Sequence, residues 1–98
     1  MSGNYRRGYE AELKAVKRLE AAGYVVARTA GSHSPFDVVA VGPQGVRLIQ
    51  VKRVKRGGLP STLEAACEEI EQVPKLPGVS REVWLWRDGA GFVVQKAV

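Results

Sequence analysis

Two apolar runs joined by a short glycine-bounded turn restrict this chain more than any other feature. Phe36-Asp37-Val38-Val39-Ala40-Val41 precedes the turn Gly42-Pro43-Gln44-Gly45, and a second run extends from Val46 to Val54. β-Branched residues flanking a tight glycine turn predict an antiparallel hairpin. Upstream, the pattern predicts a helix from an N-cap at Asn4 to about Ala22, ended by Gly23, with Leu13, Val16 and Leu19 as its apolar stripe. Tyr24–Arg28 reads as a strand and Thr29–Pro35 as a loop of small and polar residues. Downstream, Lys55-Arg56-Gly57-Gly58 ends the third strand. Ser61 is read as the cap of a second helix, with Glu64 at the capping-box position, running toward Val73 before Pro74. Arg81–Arg87 and Gly91–Lys96 form a last hairpin around Asp88-Gly89-Ala90-Gly91. The predicted order is α-β-β-β-α-β-β, a single α/β domain over residues 1–98 in which helices cover a mixed sheet.

Charge is unevenly placed along this frame. Residues 1–56 carry eleven basic and four acidic side chains, a net +7, whereas residues 57–98 carry four basic and six acidic, a net −2. A basic half on a small domain suggests a polyanionic partner, most simply nucleic acid; a solvated surface with local bias is the plain alternative. No segment joins a Lys/Arg face to a broad aromatic face, so a membrane-surface helix is not expected. No apolar run approaches the ~18–20 residues that cross a bilayer, and no hydrophobic stretch follows the N-terminal charges. The lone Cys67 can form neither an internal disulfide nor a cysteine-based zinc site. The expectation is a cytoplasmic chain with no membrane attachment and no small-molecule cofactor.

Polar residues interrupt apolar patterns at three places. Glu12 lines up with Val16 and Leu19 at about 100° per residue, on the face that should pack against the sheet. Glu10 lies with Lys14 and Lys17 on the solvent side and is explained by an i,i+4 pair with Lys14. Asp37 breaks the second strand and, by alternation, shares a face with Val39 and Val41. Gln50 and Lys52 share one face of the third strand, with Val51 on the other. The hairpin can bring Asp37, Gln50 and Lys52 to one end of the sheet, and the first helix can deliver Glu12. Oxygen ligands of this kind suit a hard divalent cation such as Mg²⁺, which promotes attack of water on a phosphodiester. The structural alternative is a buried Asp37–Lys52 ion pair holding the hairpin, a weak source of net stability.

Together these residues resemble the PD-(D/E)xK nuclease superfamily: an Asp, then an acidic or amide residue, one apolar residue and a lysine on the adjacent strand. Asn4-Tyr5-Arg6-Arg7-Gly8-Tyr9-Glu10-Ala11-Glu12 is similar to the opening of archaeal-type Holliday junction resolvases. Ala30-Gly31-Ser32, Asp37-Val38-Val39-Ala40 and Ile49-Gln50-Val51-Lys52 follow in that family's order and spacing. The resemblance implies a restriction-endonuclease-like fold, a central mixed β-sheet flanked by helices. It also implies a homodimer that cuts four-way DNA junctions symmetrically with Mg²⁺, or Mn²⁺ in its place, as a cellular or phage-encoded member would. Glu12, Asp37 and Gln50 then fall on the metal-site positions, Lys52 on the catalytic lysine, and the Val51 carbonyl faces the metal. Ser32 matches a loop serine, and Arg6 and Arg7 match basic residues near the DNA. The sequence departs from the resolvases at Gln50, where they usually carry Glu; Mrr-type restriction nucleases often carry Gln. An uncharged amide ligand implies weaker metal binding. The resemblance also implies a shortened form of the resolvases' usual C-terminal extension, with fewer junction contacts from that region.

Several further residues have two readings. Arg53, Lys55 and Arg56 beside Lys52 are candidate phosphate contacts or, alternatively, guards of an edge strand. His33 is a candidate DNA contact or an exposed loop histidine. Trp84 and Trp86 share one strand face and are read as a dimer interface, with core packing against the second helix as the alternative. Two opposed cuts call for two equivalent sites, which favours the interface. Besides the resolvase reading stand an Mrr-like nuclease or nickase and a catalytically silent DNA-binding module.

Overall fold

The computed structural model describes residues 3–29, 34–55 and 57–98, with side chains from Tyr9 onward. Ser32, His33 and Arg56, and the side chains of Arg6 and Arg7, lie outside the described residues. The elements run α1 (Gly3–Ala21), β1 (Val25–Arg28), β2 (Val38–Gly42), β3 (Gly45–Arg53), α2 (Leu59–Ile70), β4 (Val79–Arg87) and β5 (Gly91–Ala97). This is the order read from the sequence. The five strands form one mixed sheet in the order β1-β2-β3-β4-β5, with β3 and β4 parallel and every other neighbouring pair antiparallel. A parallel pair needs a crossover, and α2 supplies it.

Local chemistry sets the element ends. α1 stops where Gly23 enters the left-handed region at φ +94°. There the Tyr24 N–H reaches back to the Leu19 carbonyl at 3.1 Å and the Gly23 N–H to Glu20 at 3.0 Å, which satisfies the last carbonyls. The caps differ from expectation. α1 is already helical at Gly3, so Asn4 is not its cap. α2 begins two residues before Ser61, behind an N-cap at Gly58, because Pro60 with its fixed φ already suits the first turn. Ser61 is not a cap: its hydroxyl donates to the Gly58 carbonyl at 3.3 Å. α2 also ends at Ile70, short of Val73.

The sheet is covered on both faces. α1 lies across β1, β2 and β3, where Ala11, Ala15 and Leu19 pack with Val38, Ala40, Ile49, Val51 and Trp84. The expected stripe is corrected here. Ala11 and Ala15 are buried together with the expected Leu19, Val16 is only partly buried beside them, and Leu13 lies outside that cluster. α2 covers the other face of β3 and β4 through Ala66 and Ile70 against Val54, Val73, Val83 and Leu85. The far face of β1 and β2 is left open, and there Val25 is 76% exposed and Val41 46% exposed.

Trp84 belongs to the core and not to an outer surface. It is 2% exposed, packs in the cluster beneath α1 and meets Phe92 edge-on at 5.2 Å. Its place in a dimer interface is therefore withdrawn; the packing alternative holds, but against α1 and not α2. Trp86 is half-buried, meets Phe92 at 5.0 Å and donates its indole N–H to Asp88 at 3.2 Å.

Candidate active site

β3 is the middle strand, and its residues Ile49, Gln50 and Val51 are buried. A polar side chain at position 50 is therefore enclosed by the fold itself. β2 begins at Val38, so Asp37 stands just before the strand and not within it. Its backbone N–H donates to the Ile49 carbonyl at 2.9 Å, and its carbonyl accepts from Thr29 N–H at 2.9 Å. Its carboxylate accepts the Val51 N–H at 2.9 Å. That bond brings the carboxylate to the backbone between Gln50 and Lys52.

Burial raises the Asp37 carboxyl to about 6. The Val51 N–H bond opposes this rise; the Glu12 charge adds to it, Lys52 lowers it and Glu69 raises it again. Three charged side chains thus act on a partly buried carboxyl.

Gln50 and Lys52 converge on one residue that sequence reasoning missed. Glu69 on α2 accepts the Gln50 side-chain N–H and lies 3.5 Å from the Lys52 ammonium. Lys52 therefore pairs with Glu69, and the Asp37–Lys52 ion pair considered as the structural alternative does not form. Gln50 is 2% exposed, and its Oε1 has no hydrogen-bond partner among the described residues. A buried orphaned acceptor is rare and calls for an explanation.

Glu12 is brought close enough for its charge to act on Asp37. Its carboxylate is engaged by the Arg28 guanidinium at 3.1 Å, and Arg28 stacks on the Tyr9 ring at 4.3 Å. Arg28 is a second residue missed from sequence. Its place at the end of β1, opposite Val38, was the available signal. For Glu69 the signal was helical phase, since it shares the flank of α2 with buried Ala66 and Ile70 while Glu68 points to solvent.

The basic patch divides. The Arg53 guanidinium is held by the Asp88 carboxylate, with Nε at 3.1 Å, whereas Lys55 is exposed. Cys67 is free and partly buried against the α2 cluster.

Among the described residues no three of His, Cys, Asp and Glu stand together as a preformed cation cage. An oxygen site that includes an amide would not be of that type. The Asp37 carboxylate and the orphaned Gln50 Oε1 fit a hard divalent cation, because both are oxygen donors and one lacks any partner among the described residues. No helix among the described residues is long and apolar enough to cross a membrane. No family model matches the chain. The fold itself is an α/β domain with a five-stranded mixed sheet and two helices.

Proposed function

We propose that this chain is a metal-dependent endonuclease of the Holliday junction resolvase kind, with a restriction-endonuclease-like fold, cutting four-way DNA junctions in symmetric pairs as a homodimer. One observation supports the reading: the Asp37 carboxylate accepts the N–H of Val51, whose neighbours Gln50 and Lys52 both meet Glu69, and the Gln50 oxygen is buried and unpartnered among the described residues. Asp37 and Gln50 would hold Mg²⁺ or Mn²⁺, with Glu12 joining if it leaves Arg28. Such a cation supplies Lewis-acid stabilisation of phosphoryl charge and acidifies water. Lys52, within reach of the Asp37 charge, offsets phosphate charge and orients the attacking water. Lys55 contacts the backbone, a contact that reads branch shape and not base order. A second copy related by two-fold symmetry presents the second site to the opposite strand.

The test is incubation with a labelled four-way junction and a matched linear duplex, with and without Mg²⁺, beside Asp37→Ala. Paired nicks in the junction that need both metal and Asp37 are expected. Equal cutting of the linear duplex would instead indicate an Mrr-like nuclease. Tight binding without metal-dependent cutting would indicate a silent DNA-binding module.

A further inference from the structure

A carboxylate at position 50 would need no orienting, because its two oxygens are equivalent. A carboxamide has one atom that can ligate a cation and one that cannot, and a half-turn about its last bond exchanges them. Gln50 therefore works as a ligand only if something fixes which way its amide faces. The Glu69 carboxylate accepts and cannot donate, so it takes the Gln50 NH₂ group and leaves Oε1 on the other side. That oxygen is the buried acceptor without a partner among the described residues. The same carboxylate pairs with Lys52, so one residue of α2 holds both polar side chains of β3.

We propose that Glu69 is the positioning residue of this site: it fixes the Gln50 amide so that Oε1 stays free for a divalent cation, and it supplies beside it the negative charge that position 50 lacks. The inference rests on the metal-dependent reading above. It explains how an amide serves where a carboxylate would otherwise be needed. It also predicts that positions 50 and 69 are exchangeable as a pair. Glu69→Gln would offer Gln50 either an oxygen or an NH₂ group, so both amide orientations become acceptable. Adding Gln50→Glu to that variant restores a ligand with no wrong face.

The experiment is calorimetric titration of Mn²⁺ into metal-free protein, with thermal melts confirming that each variant is folded. Glu69→Gln and Glu69→Ala should each weaken Mn²⁺ binding by about tenfold or more. The Gln50→Glu/Glu69→Gln double variant should return to within about threefold of wild type, a coupling that independent sites do not show. Wild-type affinity in Glu69→Gln, or a double variant as weak as Glu69→Gln, would overturn the proposal. If the titrations behave as expected and no junction is cut, the nuclease reading falls and the role of Glu69 stands. If the wild type binds and cuts but Glu69→Gln is unaffected, the reverse holds. A wild type that binds no Mn²⁺ overturns both.

Discussion

Asp37→Asn is expected to melt at a higher temperature than the wild-type chain at pH 7.5 without metal and, on the proposed nuclease reading, to cut junction DNA about a thousandfold more slowly. The first effect follows from burial. Burial holds the Asp37 carboxyl at about 6, above its ordinary value of 3.8. The folded chain therefore favours the protonated form. That stability is fully present below the unfolded value of 3.8 and is lost as pH rises through about 6. At pH 7.5 the wild type carries the full penalty of an ionised, partly buried carboxylate. A tenfold change in proton affinity corresponds to about 1.4 kcal/mol, and solvent reaching the group reduces the whole penalty to roughly 1–2 kcal/mol. In a domain of this size that is about 4–8 °C per kcal/mol. Asparagine removes the charge and can still accept the Val51 N–H through its amide oxygen. On the proposed reading Asp37 is a charged metal ligand, and its removal would cost several kcal/mol of transition-state stabilisation. Melts at pH 4 and pH 7.5 in EDTA are the check. The advantage of the variant should fade at pH 4, and an equal advantage at both would refute the assignment.

Glu82→Ala should be the most damaging single change away from the site, lowering stability by about 3–5 kcal/mol. Glu82 is 7% exposed on β4 and accepts both arms of the Arg47 guanidinium at 2.7 Å, the Ser80 hydroxyl at 2.6 Å and the Trp84 indole N–H at 3.0 Å. Burial alone would raise its carboxyl; the bonds from Arg47, Ser80 and Trp84 outweigh this and hold it below the ordinary value. Truncation leaves an arginine charge half-buried and an indole N–H without its acceptor. Because the carboxyl is depressed, its contribution is present at neutral pH and lost as pH falls through the lowered value. The penalty measured by urea unfolding should therefore be greatest near pH 7 and shrink in acid. A penalty under about 1 kcal/mol at pH 7 would show that the cluster is not a clamp.

Features fixed by local chemistry were legible in the sequence, and features fixed by packing were not. The element order could be read because turns announce themselves: Gly23 and the Gly42–Gly45 turn fix chain reversals by local chemistry. Gln50 and Lys52 were visible because each breaks an apolar strand, and Asp37 because it interrupts the apolar run that leads into β2. Glu69 was overlooked because α2 and its end carry Glu64, Glu68 and Glu71 as well; helical phase narrows the choice, but only packing shows that Glu69 meets Gln50 and Lys52. Trp84 was misplaced for a related reason. Alternation assigns it a face, but which helix covers that face depends on the crossover between β3 and β4. Arg28 looked like one more basic residue until the β1–β2 register set it across from Val38, within reach of Glu12.

The crossover also determines how much chain each contact must close. The Asp37–Val51 bond joins residues 14 apart, the Gln50–Glu69 bond 19 apart and the Arg47–Glu82 pair 35 apart. Loop-closure entropy grows slowly with length, so the longest of these costs only about 0.8 kcal/mol more than the shortest. The contacts nonetheless differ in which elements each one requires. The hairpin that carries Asp37 can close on its own, the Glu69 contact waits for α2 to fold back, and the Arg47–Glu82 clamp needs β4 laid alongside β3. Asp37, Gln50 and Lys52 thus come from one short hairpin, while Glu69 and the residues that stabilise the sheet around them are recruited from farther along.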